Sequence, residues 1–227
     1  MADRDGAIPV LYQDRRILVC LKPPGVCSAD QPGGLPDRLR AQLGEEAACL
    51  RTVHRLDQPV GGVMVLARSR EAARRLSSQV AGRRLEKEYL AVLTGVPEER
   101  EGVLCDWLGY DRRLRRAYRA DGPGREARWA ELAYQVLQVR DGFALVRVQL
   151  RTGRTHQIRA QFAARGLPLA GDQKYGAPET EGTGIGLWSR LLAFDHPQTG
   201  ERVCFTAMPP QTEPWSRFDL APLPGTP

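Results

Sequence analysis

The chain has 227 residues, 42% of them hydrophobic, so it can bury a substantial core. Lys and Arg total 33 against 27 Asp and Glu, and the net charge of +6 suits a polyanionic partner without proving one. No run of 18 apolar residues and no apolar N-terminal segment is present, so nothing indicates secretion or membrane insertion, and we expect a cytoplasmic protein.

The first half of the chain combines buried strands with short helices. Strands are predicted at 16–21 and 63–67, and a short helix is predicted at 37–43. The segment 51–62 is predicted to be loop, and Ser69 is placed to cap a second helix. The strand at 63–67 would hold the loop before it rigidly.

The second half of the chain is richer in strands. These are predicted at 88–94, 130–139, 143–151 and 203–207. Thr155 is placed to cap a helix that ends near residue 165. Short strands with few helices predict an α+β fold, in which a mostly antiparallel sheet is flanked by helices and loops.

The domain organisation is predicted to be simple. We find no internal repeat and no long linker, and we expect a single domain over 1–227. Its core would span about 8–210, and a proline-rich tail would occupy 209–227.

Cysteine and histidine usage argues against a structural metal site. The five cysteines are scattered without a C-x-x-C pair, and the three histidines lack metal-ligand spacing. An odd number of separated cysteines also argues against a disulfide framework. We therefore expect no bound metal.

The tetrapeptide His54-Arg55-Leu56-Asp57 places a carboxylate in basic surroundings. Neighbouring guanidinium groups favour the charged form of a carboxylate, which can attack an electrophile. For this Asp taken alone, a surface residue that balances local charge is the more common explanation. The choice between the two depends on the rest of the chain.

The segment 112–128 is strongly basic, with seven arginines and two acidic residues. The planar fork of arginine suits contacts with phosphate groups. A solvated charged face explains such a stretch equally well. The strand at 143–151 likewise alternates an apolar face with a basic one, although a polar face that meets water is its plainer explanation.

Four segments, taken together, resemble the RluA-type RNA pseudouridine synthases. They are 54–57 (His-Arg-Leu-Asp), 86–89 (Glu-Lys-Glu-Tyr), 151–159 (Arg-Thr-Gly-Arg-Thr-His-Gln-Ile-Arg) and 171–176 (Gly-Asp-Gln-Lys-Tyr-Gly). His-Arg-Leu-Asp alone is a weak signal, whereas all four in this order are a strong one. The resemblance implies the pseudouridine synthase catalytic fold with a central RNA-binding cleft.

The resemblance also implies an activity. Such enzymes break the N1–C1′ bond of uridine, turn the uracil and rejoin it through C5, without a metal or an organic cofactor. Asp57 matches the catalytic Asp, which attacks either C6 of the base or C1′ of the ribose. Arg159 matches the arginine that pairs with that Asp. Tyr89 matches the tyrosine that packs on the target base and would take the C5 proton.

Further residues are candidates for RNA binding. By resemblance, Arg55 helps rearrange the base stack when the target uridine is extruded. The other candidates are His54, Arg113, Arg115, Arg116, Arg154, Lys174 and Tyr175. Contacts with the backbone would supply most of the affinity. Lys174 and Tyr175 also fit an ordinary loop, Tyr89 an ordinary strand aromatic and Arg159 a solvated helix residue.

Two departures from the family's pattern concern supporting loops. Gly61 stands where many members have Ser, and Trp188-Ser189 stands where many have His-Ala. They bear on substrate preference more than on chemistry.

These observations predict a monomeric, stand-alone RNA pseudouridine synthase that acts on a stem-loop of rRNA or tRNA. Because the chain begins almost at the catalytic domain, without room for an N-terminal S4-like module, we expect this domain to select its target. The alternative is a non-catalytic RNA-binding or ribosome-assembly factor that retains the fold, against which Asp57, Tyr89 and Arg159 argue. A serine or cysteine hydrolase is excluded, because this chain has no G-x-S-x-G signature.

Overall fold

The computed structural model describes residues 6–46, 48–177 and 184–220. In these ranges the α-helices are α1 (Leu35–Leu43), α2 (Arg70–Ala81) and α3 (Gln157–Ala163). The strands are β1 (Val10–Gln13), β2 (Ile17–Lys22), β3 (Arg51–Thr52), β4 (Gly61–Ala67), β5 (Glu86–Leu93), β6 (Glu101–Asp111), β7 (Arg116–Ala120), β8 (Arg128–Arg140), β9 (Phe143–Leu150), β10 (Leu187–Asp195) and β11 (Arg202–Thr206). The part of the predicted tail beyond residue 220 lies outside the described residues.

The described residues divide into two compact units. The first comprises those of 1–87 and 189–207, and the second those of 88–188 and 208–227. The strand ladders whose register is described are antiparallel, and helices are few, as an α+β fold requires. That the whole chain forms a single catalytic domain stays a prediction.

In the first unit, β2 pairs with β1 on one side and with β4 on the other. β10 lies beside β4, and β11 pairs with β10. Alternate residues of β2 and β4 join Leu76 of α2 in a buried core. The predicted cap of α2 is confirmed, because the hydroxyl of Ser69 accepts a hydrogen bond of 3.1 Å from the backbone N–H of Ala72.

In the second unit, the strands follow the order β5-β9-β8-β6-β7. One face of this sheet packs against residues of the C-terminal segment, including Trp215 and Phe218. A separate core cluster joins Ala160 of α3 to Leu108 of β6 and Ala130 of β8. The sheet and α3 together therefore position the motif segments of the second half of the chain.

The start of α3 differs from the prediction. The helix begins at Gln157, and its N-cap is His156, which has a φ of +53° and makes no side-chain capping bond. The side-chain oxygen of Gln157 accepts hydrogen bonds from the backbone N–H of Arg154 and from the hydroxyl of Thr152. Because Gln157 folds the preceding loop back onto the helix, Thr155 is not the capping residue.

Two strand predictions also need correction. The segment 51–62 is not entirely loop, since β3 forms at its start and β4 already begins at Gly61. Leu145 of β9 lies on the predicted basic face but is fully buried in an apolar cluster. That face is therefore interrupted at its N-terminal end, where packing and not solvent decides the environment.

Candidate active site

The segment that carries Asp57 is fixed by a residue distant in the chain, Ser28. The hydroxyl of Ser28 donates to the carbonyl of Leu56 at 2.8 Å and accepts from the N–H of Leu56 at 3.2 Å. Leu56 and His54 are buried, whereas Arg55 is exposed and Asp57 is half-buried. Alternate residues therefore anchor the segment in the interior and leave Arg55 accessible from solvent.

Lys22 lies fully buried beneath the same segment. Its ammonium group donates to the backbone carbonyls of Pro23, Val26 and Gln58, at 2.9, 2.7 and 3.1 Å. Burial lowers the pKa of this group to about 8, although the thiol of Cys27 and the carboxylate of Asp57 partly oppose the shift. A buried cation therefore joins the turn after β2 to the residue that follows Asp57. Lys22 is not among the residues that the motifs predict, and its place before a Pro-Pro-Gly turn is the signal for it in the sequence.

His54 is an interior residue. Its side chain is buried, and Nε2 accepts a hydrogen bond of 3.2 Å from the backbone N–H of Val65. Burial holds the pKa of its imidazole well below the usual value, and the charge of Lys87 acts in the same direction. This buried position favours a structural role for the ring, and the RNA contact of His54 stays a prediction.

Gly62 adjoins both departures from the family's pattern: Gly61 precedes it in the chain, and Ser189 packs against it. Gly62 has a φ of +124°, and a Cβ atom built on it would lie 2.6 Å from the backbone nitrogen of Ser189. The hydroxyl of Ser189 donates to the carbonyl of Val63 at 3.1 Å. Position 62 therefore requires glycine, and the serine at position 189 adds a buried hydrogen bond to β4.

Tyr89 and Arg159 lie in the second unit. Tyr89 is a buried residue of β5, opposite Val148 of β9. Arg159 lies on α3 and is 5% exposed. Its Nε and Nη2 atoms donate to the two carboxylate oxygens of Asp172, at 2.8 and 2.9 Å. Arg159 is thus a buried, doubly hydrogen-bonded cation and not a solvated helix residue.

Asp172, the partner of Arg159, is not among the candidates that the sequence predicts. It is 2% exposed and belongs to the segment 171–176, which the resemblance had marked without assigning a role to the acid. That segment, with its flanking glycines, was the available signal. The expected pairing of Arg159 with Asp57 stays a prediction.

Tyr175 is also buried, and both its hydroxyl group and its ring contact other residues of the protein. Its hydroxyl accepts a hydrogen bond of 2.8 Å from the N–H of Ala117 and lies 2.9 Å from Nδ1 of His156. Its ring lies 4.7 Å from the guanidinium carbon of Arg116 and 5.1 Å from that of Arg159. With only 5% of the residue exposed, these contacts give Tyr175 a structural role, and its direct contact with RNA stays a prediction.

The basic segment forms an exposed hairpin between β6 and β7. The carboxylate of Asp111 accepts hydrogen bonds from the N–H groups of Arg113 and Leu114, which closes the turn. Arg113, Arg115 and Arg116 are exposed, as are Lys174 and Arg154. Arg119, by contrast, pairs with the buried carboxylate of Asp106 at 3.1 Å. The hairpin therefore presents several guanidinium groups to solvent.

A comparison with known families bears on this arrangement. Residues 16–164 match the family described as RNA pseudouridylate synthase. The chain belongs to this family. Pseudouridine synthases are isomerases that act on RNA, and this chain is therefore an isomerase that acts on RNA.

Two relatives illustrate how far this pseudouridine synthase resembles known members. It is 33% identical over 214 residues to the uncharacterized RNA pseudouridine synthase YlyB of Bacillus subtilis, covering 90% of this chain and 70% of YlyB. It is 32% identical over 209 residues to the dual-specificity RNA pseudouridine synthase RluA of Escherichia coli K12, covering 87% and 91%. These matches confirm the RluA-type resemblance.

Solved structures agree with the fold. Human RNA pseudouridylate synthase domain containing 4 matches with a TM-score of 0.75 and 25% identity, over 89% of each chain. Human RNA pseudouridylate synthase domain containing 1 matches with a TM-score of 0.77 and 24% identity, over 92% of this chain and 86% of the other. In the described part of this pseudouridine synthase, no helix has the length and hydropathy that a membrane crossing requires.

Proposed function

We propose that this synthase isomerises a specific uridine in a stem-loop of rRNA or tRNA and that Asp57 is its nucleophile. The observation that carries the proposal is the anchored 54–57 segment, in which Ser28 and Lys22 hold the backbone on both sides of Asp57. An attacking carboxylate gains most when its position is fixed before the substrate binds. Cytoplasmic location and a monomeric state are parts of the same proposal.

The proposed reaction is balanced as an isomerisation. The carboxylate of Asp57 attacks C1′ or C6, the N1–C1′ bond breaks, and the detached uracil turns within the site. A C5–C1′ bond then forms, the carboxylate is released, the C5 proton leaves and N1 gains a proton. Tyr89 would accept the C5 proton and hold the ring of the uracil against its own.

Arg159 is proposed to pair with the carboxylate of Asp57 during this reaction. Support comes from its buried bond to Asp172, which fixes the plane of the guanidinium group. A cation held in this way can direct a second carboxylate without rearranging in the transition state.

RNA would bind through exposed arginines. Arg55 follows the buried His54 and precedes the anchored Leu56, so it extends from a rigid segment, as a side chain that replaces an extruded base requires. Arg154 and the 112–116 hairpin would contact phosphate groups, because arginine binds them with two parallel hydrogen bonds.

Release of tritium from RNA labelled with [5-³H]uridine tests the proposal. The RNA would be total RNA from cells that lack the gene. We expect native protein to release tritium and Asp57→Ala to release none, with RNA affinity changed by less than a few fold. Asp30→Ala, which removes an exposed carboxylate from the same unit, serves as the matched control and should be fully active.

Undiminished release by Asp57→Ala would overturn the assignment of the nucleophile. A native protein that binds this RNA without releasing tritium would instead favour the non-catalytic assembly factor. If tritium is released, comparison of pseudouridine maps from cells with and without the gene would identify the uridine.

A further inference from the structure

The segment 171–176 holds the guanidinium group of Arg159 through the carboxylate of Asp172. Both oxygens of Asp172 accept hydrogen bonds from the guanidinium group of Arg159, and both side chains are almost completely buried. A buried guanidinium that loses such a partner is left uncompensated, and it must move or gather water. The direction in which Arg159 points therefore depends on Asp172.

The same segment holds Arg159 through an aromatic ring. The guanidinium carbon of Arg159 lies 5.1 Å from the centroid of the Tyr175 ring, and that of Arg116 lies 4.7 Å from it. Both distances are within the range of cation–π attraction. One ring thus contacts an arginine of α3 and an arginine at the start of β7.

The hydroxyl group of Tyr175 ties the same two elements together. It accepts a hydrogen bond from the N–H of Ala117 on β7, and it lies 2.9 Å from Nδ1 of His156 at the N-cap of α3. Burial raises the pKa of Tyr175 to about 12, so the hydroxyl keeps its proton and can both accept and donate. Next to it, the ammonium group of Lys174 donates to the carbonyl of Arg115 at 3.3 Å.

These contacts join an exposed basic hairpin to the helix that carries Arg159. We propose that Asp172 and Tyr175 are positioning residues for Arg159, and that Tyr175 couples RNA contact at Arg116 to the placement of Arg159. The inference rests on the proposed function, in which Arg159 acts on Asp57 and the hairpin binds RNA. Any such coupling is reciprocal in binding free energy.

Asp172→Asn tests the positioning role. We expect the single-turnover rate at saturating RNA to fall about 10²-fold, because a misplaced catalytic group is this costly, while the Kd for RNA changes less than threefold. Asp172→Glu should restore part of the rate. A merely structural residue would lower the unfolding temperature and leave the rate of the folded protein intact, and that result would overturn the role of Asp172.

Tyr175→Phe provides a milder second variant that keeps the ring and removes only the hydroxyl. Hydrogen exchange at the amide of Ala117 should quicken, since its acceptor is lost, and the single-turnover rate should fall several-fold. A native rate together with faster exchange would show that the hydroxyl only stabilises the hairpin, which would overturn its positioning role.

Two arginines of one hairpin test the coupling. Arg116→Gln removes a guanidinium that contacts Tyr175, whereas Arg113→Gln removes an exposed one from the turn. Both should weaken RNA binding, but only Arg116→Gln should slow the reaction at saturating RNA. In a Tyr175→Leu background the two variants should behave alike. Equal rates for the two in the native background would overturn the coupling.

A readout without turnover separates this inference from the proposed function. The Nε–H of Arg159 is buried in its bond to Asp172, so its NMR signal reports the position of the side chain. Adding RNA should shift this signal in native protein and in Arg113→Gln, but much less in Arg116→Gln. Equal shifts in all three would refute the coupling even if the enzyme is active, whereas absent tritium release with the expected shifts would refute only the proposed function.

Discussion

The ammonium group of Lys22 donates a hydrogen bond to the backbone carbonyl of Gln58, the residue that follows Asp57. The N–H of Gly25 donates to the same carbonyl at 2.8 Å. The turn after β2 and the loop of the proposed nucleophile are thus held together by a charged donor and a backbone donor. Because the side chain of Lys22 is fully buried, its ammonium group fixes the loop and does not contact solvent.

Lys22→Met should lower activity more than it lowers stability. The methionine fills similar volume and removes a buried charge, while two of the three carbonyls keep a backbone donor, so the free energy of unfolding should change by no more than about 2 kcal/mol. The single-turnover rate should fall about 10²-fold, because the Asp57 loop loses its anchor. Urea denaturation and tritium release measure the two effects, and a native rate would contradict the anchoring role.

His54 should make the protein sensitive to mild acid. Its pKa is lowered in the folded state, so the unfolded chain binds more protons between that pKa and the ordinary value near 6.5. Stability from neutral His54 is therefore present above about pH 6.5 and is lost as the pH falls below it. The free energy of unfolding of native protein should fall more between pH 7.5 and pH 5 than that of His54→Gln. Parallel pH profiles would rule out this contribution.

Gly62→Ala should be strongly destabilising. The added methyl group would lie 2.6 and 2.8 Å from backbone atoms of Ser189, and φ is +124°, so we expect a loss of about 2–4 kcal/mol from overpacking and backbone strain. Gly200→Ala is the matched control, because Gly200 also has a positive φ, of +76°, but its Cβ would meet no atom within 4 Å. Chemical denaturation should separate the two variants, and equal losses would show that strain alone matters.

Neutralising the hairpin should flatten the salt dependence of RNA binding. Replacing Arg113, Arg115 and Arg116 by Gln removes as many as three phosphate contacts, and each contact contributes about 0.7–0.9 to the slope of log K against log salt. The matched control replaces three exposed arginines of the first unit, Arg70, Arg74 and Arg83. Filter binding between low and moderate salt measures the slope. A slope that falls equally in both triple variants would indicate general charge loss and not a specific surface.

Local patterns in the sequence predicted most elements of the fold. The strands around Leu18 and Val65 and the capped helix after Ser69 were found within one or two residues, because burial periodicity and capping are local properties. The prediction failed at the start of α3. There the side chain of Gln157 accepts a hydrogen bond from Thr152 in the preceding loop, and no periodicity in the sequence predicts such a contact.

The functional residues divide in the same way. The order of the motifs predicted the family of the chain, and the family comparison confirms it. The catalytic roles of Asp57, Tyr89 and Arg159 stay predictions. The motif could not say that His54 is buried, since a histidine next to an arginine is equally compatible with an exposed loop. Burial is a property of the packed chain, and it shows His54 to be a structural support of β4.

By itself, the sequence determined the family, the order of the motifs and most of the local elements, because each of these depends on residue type and short-range spacing. Only the tertiary structure decided that Arg159 pairs with Asp172 and that Tyr175 contacts both Arg159 and Arg116. Those contacts join residues 13 or more positions apart. They depend on how α3, the hairpin and the 171–176 loop pack, which no local pattern in the chain encodes.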